Sequence, residues 1–243
     1  MISNVLKNLL LKDNEFIIQD SGETDCSLKC YDRDMLKDAD IREPLFLFLE
    51  QEYGIIRIIE ETRASESIAD VIMVTPYELY GIEIKSDADS YVRLSSQVKN
   101  YDECFDRNIA VVGTRHAEGV KKHIPEYWGI ITAEETEDDI DFYVVRQPLP
   151  NPHVNILKKI RILWREELNR ILEHHELPAY AQKSKEFVRL KLIEKVELQT
   201  LNGDICDALF ERDYAGIADR INAYRQEHSR RKRKKRKRRK YIA

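Results

Sequence analysis

Three observations predict an α/β protein with a helical C-terminal region. Two apolar runs, 70–75 and 79–85, are rich in Val, Ile and Tyr and flank a Pro76-Tyr77-Glu78 break, a strand–turn–strand signal. Helix-spaced apolar stripes precede and follow this hairpin, so strands and helices alternate along the chain. Beyond Pro148-Leu149-Pro150-Asn151-Pro152 the strand pattern gives way to helical spacing.

Taken in order, residues 1–38 form an arm, with a short helix at 5–11 followed by a polar, acidic stretch. Asp40 is expected to cap a helix that places Ile41, Leu45, Phe48 and Leu49 on one face, with Glu43 and Glu50 also on it, and Gly54 ends it. The first strand is 55–60, followed by Glu60 and Glu61 at the end of its apolar run. The hairpin comes next, and then a polar 86–90 loop suited to capping. Tyr91, Leu94, Val98, Tyr101 and Phe105 recur at spacings of three and four, a core-facing helical stripe. Strands are expected at 109–112, 128–132 and 140–145, with a short helix at 115–123. The order is αβββαβ followed by a further α and β. The α/β core is expected to span 39–147 and the helical extension 153–228. In the extension, Ile156, Ile160, Leu163, Trp164, Leu168, Ile171 and Leu172 build one face, Pro178 breaks it, and helix resumes at 184–196. This Lys- and Arg-rich region reads either as a DNA-reading module or, preferred here, as a helical cap on the core. His174 and His175 are expected as charges near a helix C-terminus. His116 and His123 are expected on a helix surface.

A chain of 243 residues can bury a sizeable core. It shows no apolar run of transmembrane length, and its first residues are too polar for a secretion signal, so a cytoplasmic protein without a membrane partner is expected. Cys26, Cys30, Cys104 and Cys206 lack the spacing of a zinc site and are expected to be reduced thiols. The net charge of −4 conceals a division. Residues 229–243 are expected to form a disordered basic tail whose centre, Arg230-Arg231-Lys232-Arg233-Lys234-Lys235-Arg236-Lys237-Arg238-Arg239-Lys240, is eleven bases long. Without these, 29 basic residues stand against 44 acidic ones, so the body carries about −15. A tail of this kind gives salt-dependent, sequence-blind affinity for phosphate backbones, whereas the body alone repels them. The same composition also serves solubility, acidic partners or nuclear addressing.

The chemistry concentrates in the hairpin, where Asp70, Glu83 and Lys85 sit within apolar strands. Burying a charge costs several kcal/mol unless it is paired or bound to a metal. Strand alternation puts Gly81, Glu83 and Lys85 on the face opposite Ile82 and Ile84, and antiparallel pairing brings Asp70 near Glu83. Gly81 is expected to leave room beside Glu83 for an approaching backbone or ligand. Two converging carboxylates beside an ammonium suit a hard cation, Mg2+ or Mn2+. Gln97 and Tyr101 lie four apart on the following helix, within reach of the hairpin.

Asp70, twelve residues, then Glu83-Ile84-Lys85 resembles the PD-(D/E)xK signature of the restriction-endonuclease-like nucleases. Gln97 to Tyr101 resembles the Q-x-x-x-Y motif of their RecB-like branch. Residues 40–42, 81–87, 105–107 and 124–130 are also similar to a small prokaryotic group in that superfamily. The resemblance covers about 40–147, with Ala69 in place of the signature's proline. It implies a three-layer αβββαβ core and hydrolysis of DNA phosphodiester bonds. Asp70, Glu83 and the Ile84 backbone carbonyl would hold Mg2+ (or Mn2+), with Lys85 as the third catalytic group and Gln97 and Tyr101 positioning substrate. Glu43, Glu60 and Glu61 are candidates for an additional acid, and a homodimer is a candidate assembly. The alternative expectation is a catalytically inactive protein of the same fold that acts as a DNA-binding or regulatory module.

Overall fold

A computed structural model describes residues 36–87, 89–136 and 139–212. The 5–11 helix and the basic tail lie outside the described residues. Helix α1 (Asp38–Tyr53) is followed by β1 (Arg57–Ala64), β2 (Ser67–Val74), β3 (Leu79–Lys85), α2 (Leu94–Asp102) and β4 (Arg107–Gly113). Then come β5 (Gly129–Glu135), β6 (Ile140–Arg146) and four helices, α3 (Ile156–Lys159), α4 (Arg165–His174), α5 (Lys185–Lys195) and α6 (Leu198–Phe210). The strands form a six-stranded sheet in sequence order, antiparallel except for the parallel β3–β4 and β4–β5 pairs. The fold is therefore mixed α/β, and its first six elements follow the order αβββαβ.

Strand alternation gives the sheet two apolar faces. Val71, Met73, Ile82, Ile84, Ile109 and Val111 face α1, which buries Ile41, Leu45 and Leu49 against them at a spacing of four. Ile72, Val74, Leu79, Ala110, Val112 and Ile130 share the opposite cluster with Leu94 and Tyr101 of α2. Leu168, Leu172, Leu192, Leu201 and Ile205 of the C-terminal helices belong to that same cluster. These helices therefore cover the sheet as a cap and do not form a detached module.

Several expected boundaries move. The first helix begins at Asp38, and Asp40 is not its cap but lies in its first turn, where its carboxylate accepts the Lys37 N–H at 3.0 Å. Gly54 ends the helix as expected, at φ 74°. β1 runs on to Ala64, past an irregular step. Glu60 pairs with Val71 and Thr62 with Ala69, and the step between them, Glu61 against Asp70, is missing. Glu61 there adopts φ 45°, the left-handed region that costs a non-glycine residue roughly 1–2 kcal/mol. The helix expected at 115–123 is two separate 3-10 turns, Thr114–His116 and Val120–Lys122. Only Val120 of residues 115–123 is buried, so no apolar stripe supports a continuous helix. His116 and His123 pack instead around the Tyr91 ring, with centroids 4.9 and 4.3 Å away.

Two buried polar clusters hold the cap, the first joining it to the sheet and the second closing it on itself. The Lys159 ammonium, fully buried, donates to both Asp106 carboxylate oxygens at 2.7 and 2.6 Å and to Asn202 at 3.1 Å. Asp106 also accepts the N–H of Leu79, where β3 begins. Arg212 grips Glu167 through two parallel hydrogen bonds of 2.6 and 2.7 Å, both side chains 1% exposed, and stacks on Trp164. Removing one partner of such a pair strands the other charge in the core. Glu167→Ala is therefore expected to cost about 3–5 kcal/mol, read as a lower urea midpoint at unchanged m. A cost of about 1 kcal/mol or less, typical of an exposed pair, would show that water reaches Arg212.

Candidate active site

The β2–β3 register pairs Val71 with Ile82, which sets Asp70 opposite Glu83 one residue further along. Both lie on the face shared with Ile72 and Val74, under α2. Asp70 accepts the Ile84 N–H at 3.0 Å through one oxygen. Glu83 is completely buried and saturated with donors. One oxygen takes the Lys85 ammonium and the Gln97 side-chain amide, each at 2.5 Å, and the other takes the Tyr101 hydroxyl at 2.8 Å. The same hydroxyl accepts the Asp70 N–H at 3.1 Å, so Tyr101 bridges the backbone of one acid to the carboxylate of the other. Asp70 has a ladder partner in neither neighbouring strand, since β1–β2 skips the Glu61–Asp70 step and β2–β3 stops at Val71–Ile82.

Gly81 fixes the closeness of α2. A Cβ there would lie 2.3 Å from the Phe105 ring and 2.7 Å from that of Tyr101. The space expected for a ligand is thus filled by the two aromatic rings, and the glycine serves packing. Gln97 and Tyr101, expected to position substrate, both spend their hydrogen bonds on Glu83. Tyr101 is wholly buried, so it acts on the site through the two acids.

A cleft of about 720 Å³ opens beside these groups, lined by Asp70, Glu83, Ile84, Lys85 and Gln97 together with Asp38, Arg93, Ser96 and Asn100. Three further acids line the cleft: Asp38 at the start of α1, Glu66 between β1 and β2, and Asp89 after β3. Glu43, Glu60 and Glu61 are exposed residues outside its lining, the last two beside Arg42 at 3.2 and 3.9 Å. An acid in the first turn of a helix reads as a partner of the helix dipole, so no pattern in the sequence marked Asp38. The eleven tail bases lie outside the described residues.

The electrostatics of the cleft favour a cation. Burial, and then the charge of Glu83, push the Asp70 carboxyl up to about 7, against the opposing pull of the Ile84 N–H and Lys85. Burial and Glu83 also hold the Tyr101 hydroxyl well above its ordinary value, so it remains a donor. Two cleft oxygens, one on Asp38 and one on Gln97, are buried and have no hydrogen-bond partner among the described residues. An all-oxygen set with crowded acids and orphaned acceptors fits a hard divalent ion such as Mg2+.

Sheet and cleft together define a mixed α/β protein with two acids and a lysine gathered on one sheet face. Residues 32–235 match the family model described as bacteriophage P4 protein cII, and the chain belongs to that family. No curated protein and no solved structure matches it.

The raised Asp70 has two measurable consequences. Its folded value near 7 lies above the unfolded value of about 4, so its contribution to stability is full below pH 4, declines as pH rises and is gone above pH 7. Asp70→Asn, neutral throughout, is expected to melt higher than the parent at pH 8 in EDTA, with the difference vanishing near pH 4. An equal or lower melting temperature at pH 8 would show that the Asp70 charge is already compensated. Because Asp70 must release its proton to hold a cation, Mg2+ affinity is expected to fall about tenfold per pH unit below 7. Calorimetric titrations between pH 5.5 and 8, roughly the span of the change, would measure that slope.

Proposed function

We propose that this chain is a metal-dependent nuclease of the restriction-endonuclease-like PD-(D/E)xK kind, hydrolysing DNA phosphodiester bonds. The observation that carries the reading is the convergence of Asp70, Glu83 and Lys85 in one cleft, at a burial cost that a purely structural strand has no reason to bear. Asp70, Glu83 and the Ile84 carbonyl are the proposed Mg2+ (or Mn2+) ligands, with Asp38 as the additional acid. The bound ion supplies charge stabilisation at phosphorus and lowers the pKa of water. Lys85 orients the attacking water or neutralises the phosphate oxygens as negative charge builds. Gln97 and Tyr101 hold Glu83 in place, so the acid needs no reorganisation during the reaction. Arg93 at the cleft and the basic tail supply phosphate contacts that the acidic body lacks.

A second reading keeps the fold and drops the chemistry, leaving a DNA-binding or regulatory module. One observation favours it: both Glu83 oxygens already have protein donors, so Glu83 itself is satisfied without an ion.

Linear and circular, single- and double-stranded DNA incubated with Mg2+ or Mn2+ separate the two. The parent chain is expected to cut, and Asp70→Asn, which should fold at least as well, to cut at least about a hundredfold more slowly. A chain ending at Ser229 should cut the same bonds with weaker, less salt-dependent binding. Equal cutting by Asp70→Asn would remove Asp70 from the chemistry. No cutting by the parent, alongside intact DNA binding, would establish the second reading.

A further inference from the structure

We propose that His174, His175 and Asp204 form a second metal site, selective for Zn2+ or a similar borderline divalent ion, that braces α4 against α6. This site is separate from the Asp70–Glu83 cleft and does not rest on the nuclease reading.

Asp204 sits on the inner face of α6 and is only 8% exposed. Its two carboxylate oxygens face two different imidazoles, His174 Nδ1 at 3.2 Å and His175 Nε2 at 2.6 Å. The three donor atoms lie within 4.8 Å of one another. Zn2+ bound tetrahedrally at about 2.0–2.2 Å holds its donors roughly 3.3 Å apart. The His175–Asp204 pair at 2.6 Å must open by roughly 0.7–1 Å and the widest separation must close, and the His174 side chain, 70% exposed, is free to move.

Consecutive residues on a continuous helix diverge by 100° or so, and α4 avoids this by stopping between them. His174 is its last helical residue, His175 caps it with ψ 13°, and Glu176 turns left-handed at φ 54°. The Leu177 N–H then closes the end on the Leu172 carbonyl at 2.8 Å. Both rings are thereby delivered to the same carboxylate. Two imidazole nitrogens and one carboxylate oxygen make a mixed donor set that suits Zn2+, unlike the oxygen-only cleft that suits Mg2+. A cavity of about 240 Å³, lined by His174, Asp204, Asp207 and Glu211, adjoins the cluster. A fourth ligand, Asp207 or a water, has room there, as expected of a site with three protein ligands.

ZnCl2 and CoCl2 titrations of EDTA-treated protein carrying Asp70→Asn, which removes the other cation site, provide the test. One equivalent of Zn2+ is expected to bind and to raise the melting temperature, and Co2+ to give the visible absorption of a low-coordinate nitrogen–oxygen site. His174→Ala is expected to weaken binding by about tenfold or more, and His174→Ala with His175→Ala to abolish binding and the thermal shift. His174 is largely exposed, so its variant should melt in EDTA close to the parent. Absence of Zn2+ binding would overturn the proposal. So would an equivalent and thermal shift that survive loss of both histidines, which would place the ion elsewhere in the chain.

Discussion

The Glu83 carboxylate is the constraint around which the sheet and α2 are arranged. A fully buried carboxylate is tolerable only if its lone pairs are met, and three side chains from two elements meet them. Lys85 comes from the same strand two residues on, while Gln97 and Tyr101 come from successive turns of α2. For α2 to come close enough, β3 must present no side chain at position 81. The Phe105 and Tyr101 rings occupy the space this leaves. Packing and polar satisfaction are therefore one requirement: a bulkier residue at 81 would pull the donors away from Glu83.

Asp70 stands in the opposite situation. It accepts a single backbone N–H, lies beside an ionised neighbour and is partly shielded from water, so its charge is opposed by its surroundings. One satisfied acid next to one frustrated acid leaves a local excess of negative potential at the cleft, with Asp38 adding to it. Such sites are where folded proteins give up stability for binding or chemistry. The same logic separates the cleft from the His174–His175–Asp204 cluster, where nitrogen and oxygen donors are mixed.

Much of the site was legible in the residues because strand periodicity is short-range and rigid. Alternation alone put Glu83 and Lys85 on one face, and the Pro76-Tyr77-Glu78 break set the pairing that faces Asp70 with Glu83. The four-residue spacing of Gln97 and Tyr101 placed both within reach of the hairpin. What they reach is Glu83, because donors in a dry interface go first to a buried charge. Gly81 was legible as a close approach but not as to what approaches, since the rings that fill the space come from 20 and more residues away in sequence. Residues 115–123 looked helical by composition, yet too few of them are buried to hold a helix together.

By itself the sequence determined the alternation of elements, the two faces of the hairpin and the identity of the acids and lysine at its centre. These depend on local geometry, which repeats every two residues in a strand and every three to four in a helix. Tertiary structure decided what depends on distant segments meeting. It brought Asp38, Glu66 and Asp89 to the cleft in place of Glu43, Glu60 and Glu61, set His174 and His175, at the helix end as expected, against Asp204, and folded the C-terminal helices into the core. No local period encodes those contacts, because each depends on how whole elements pack once the sheet has formed.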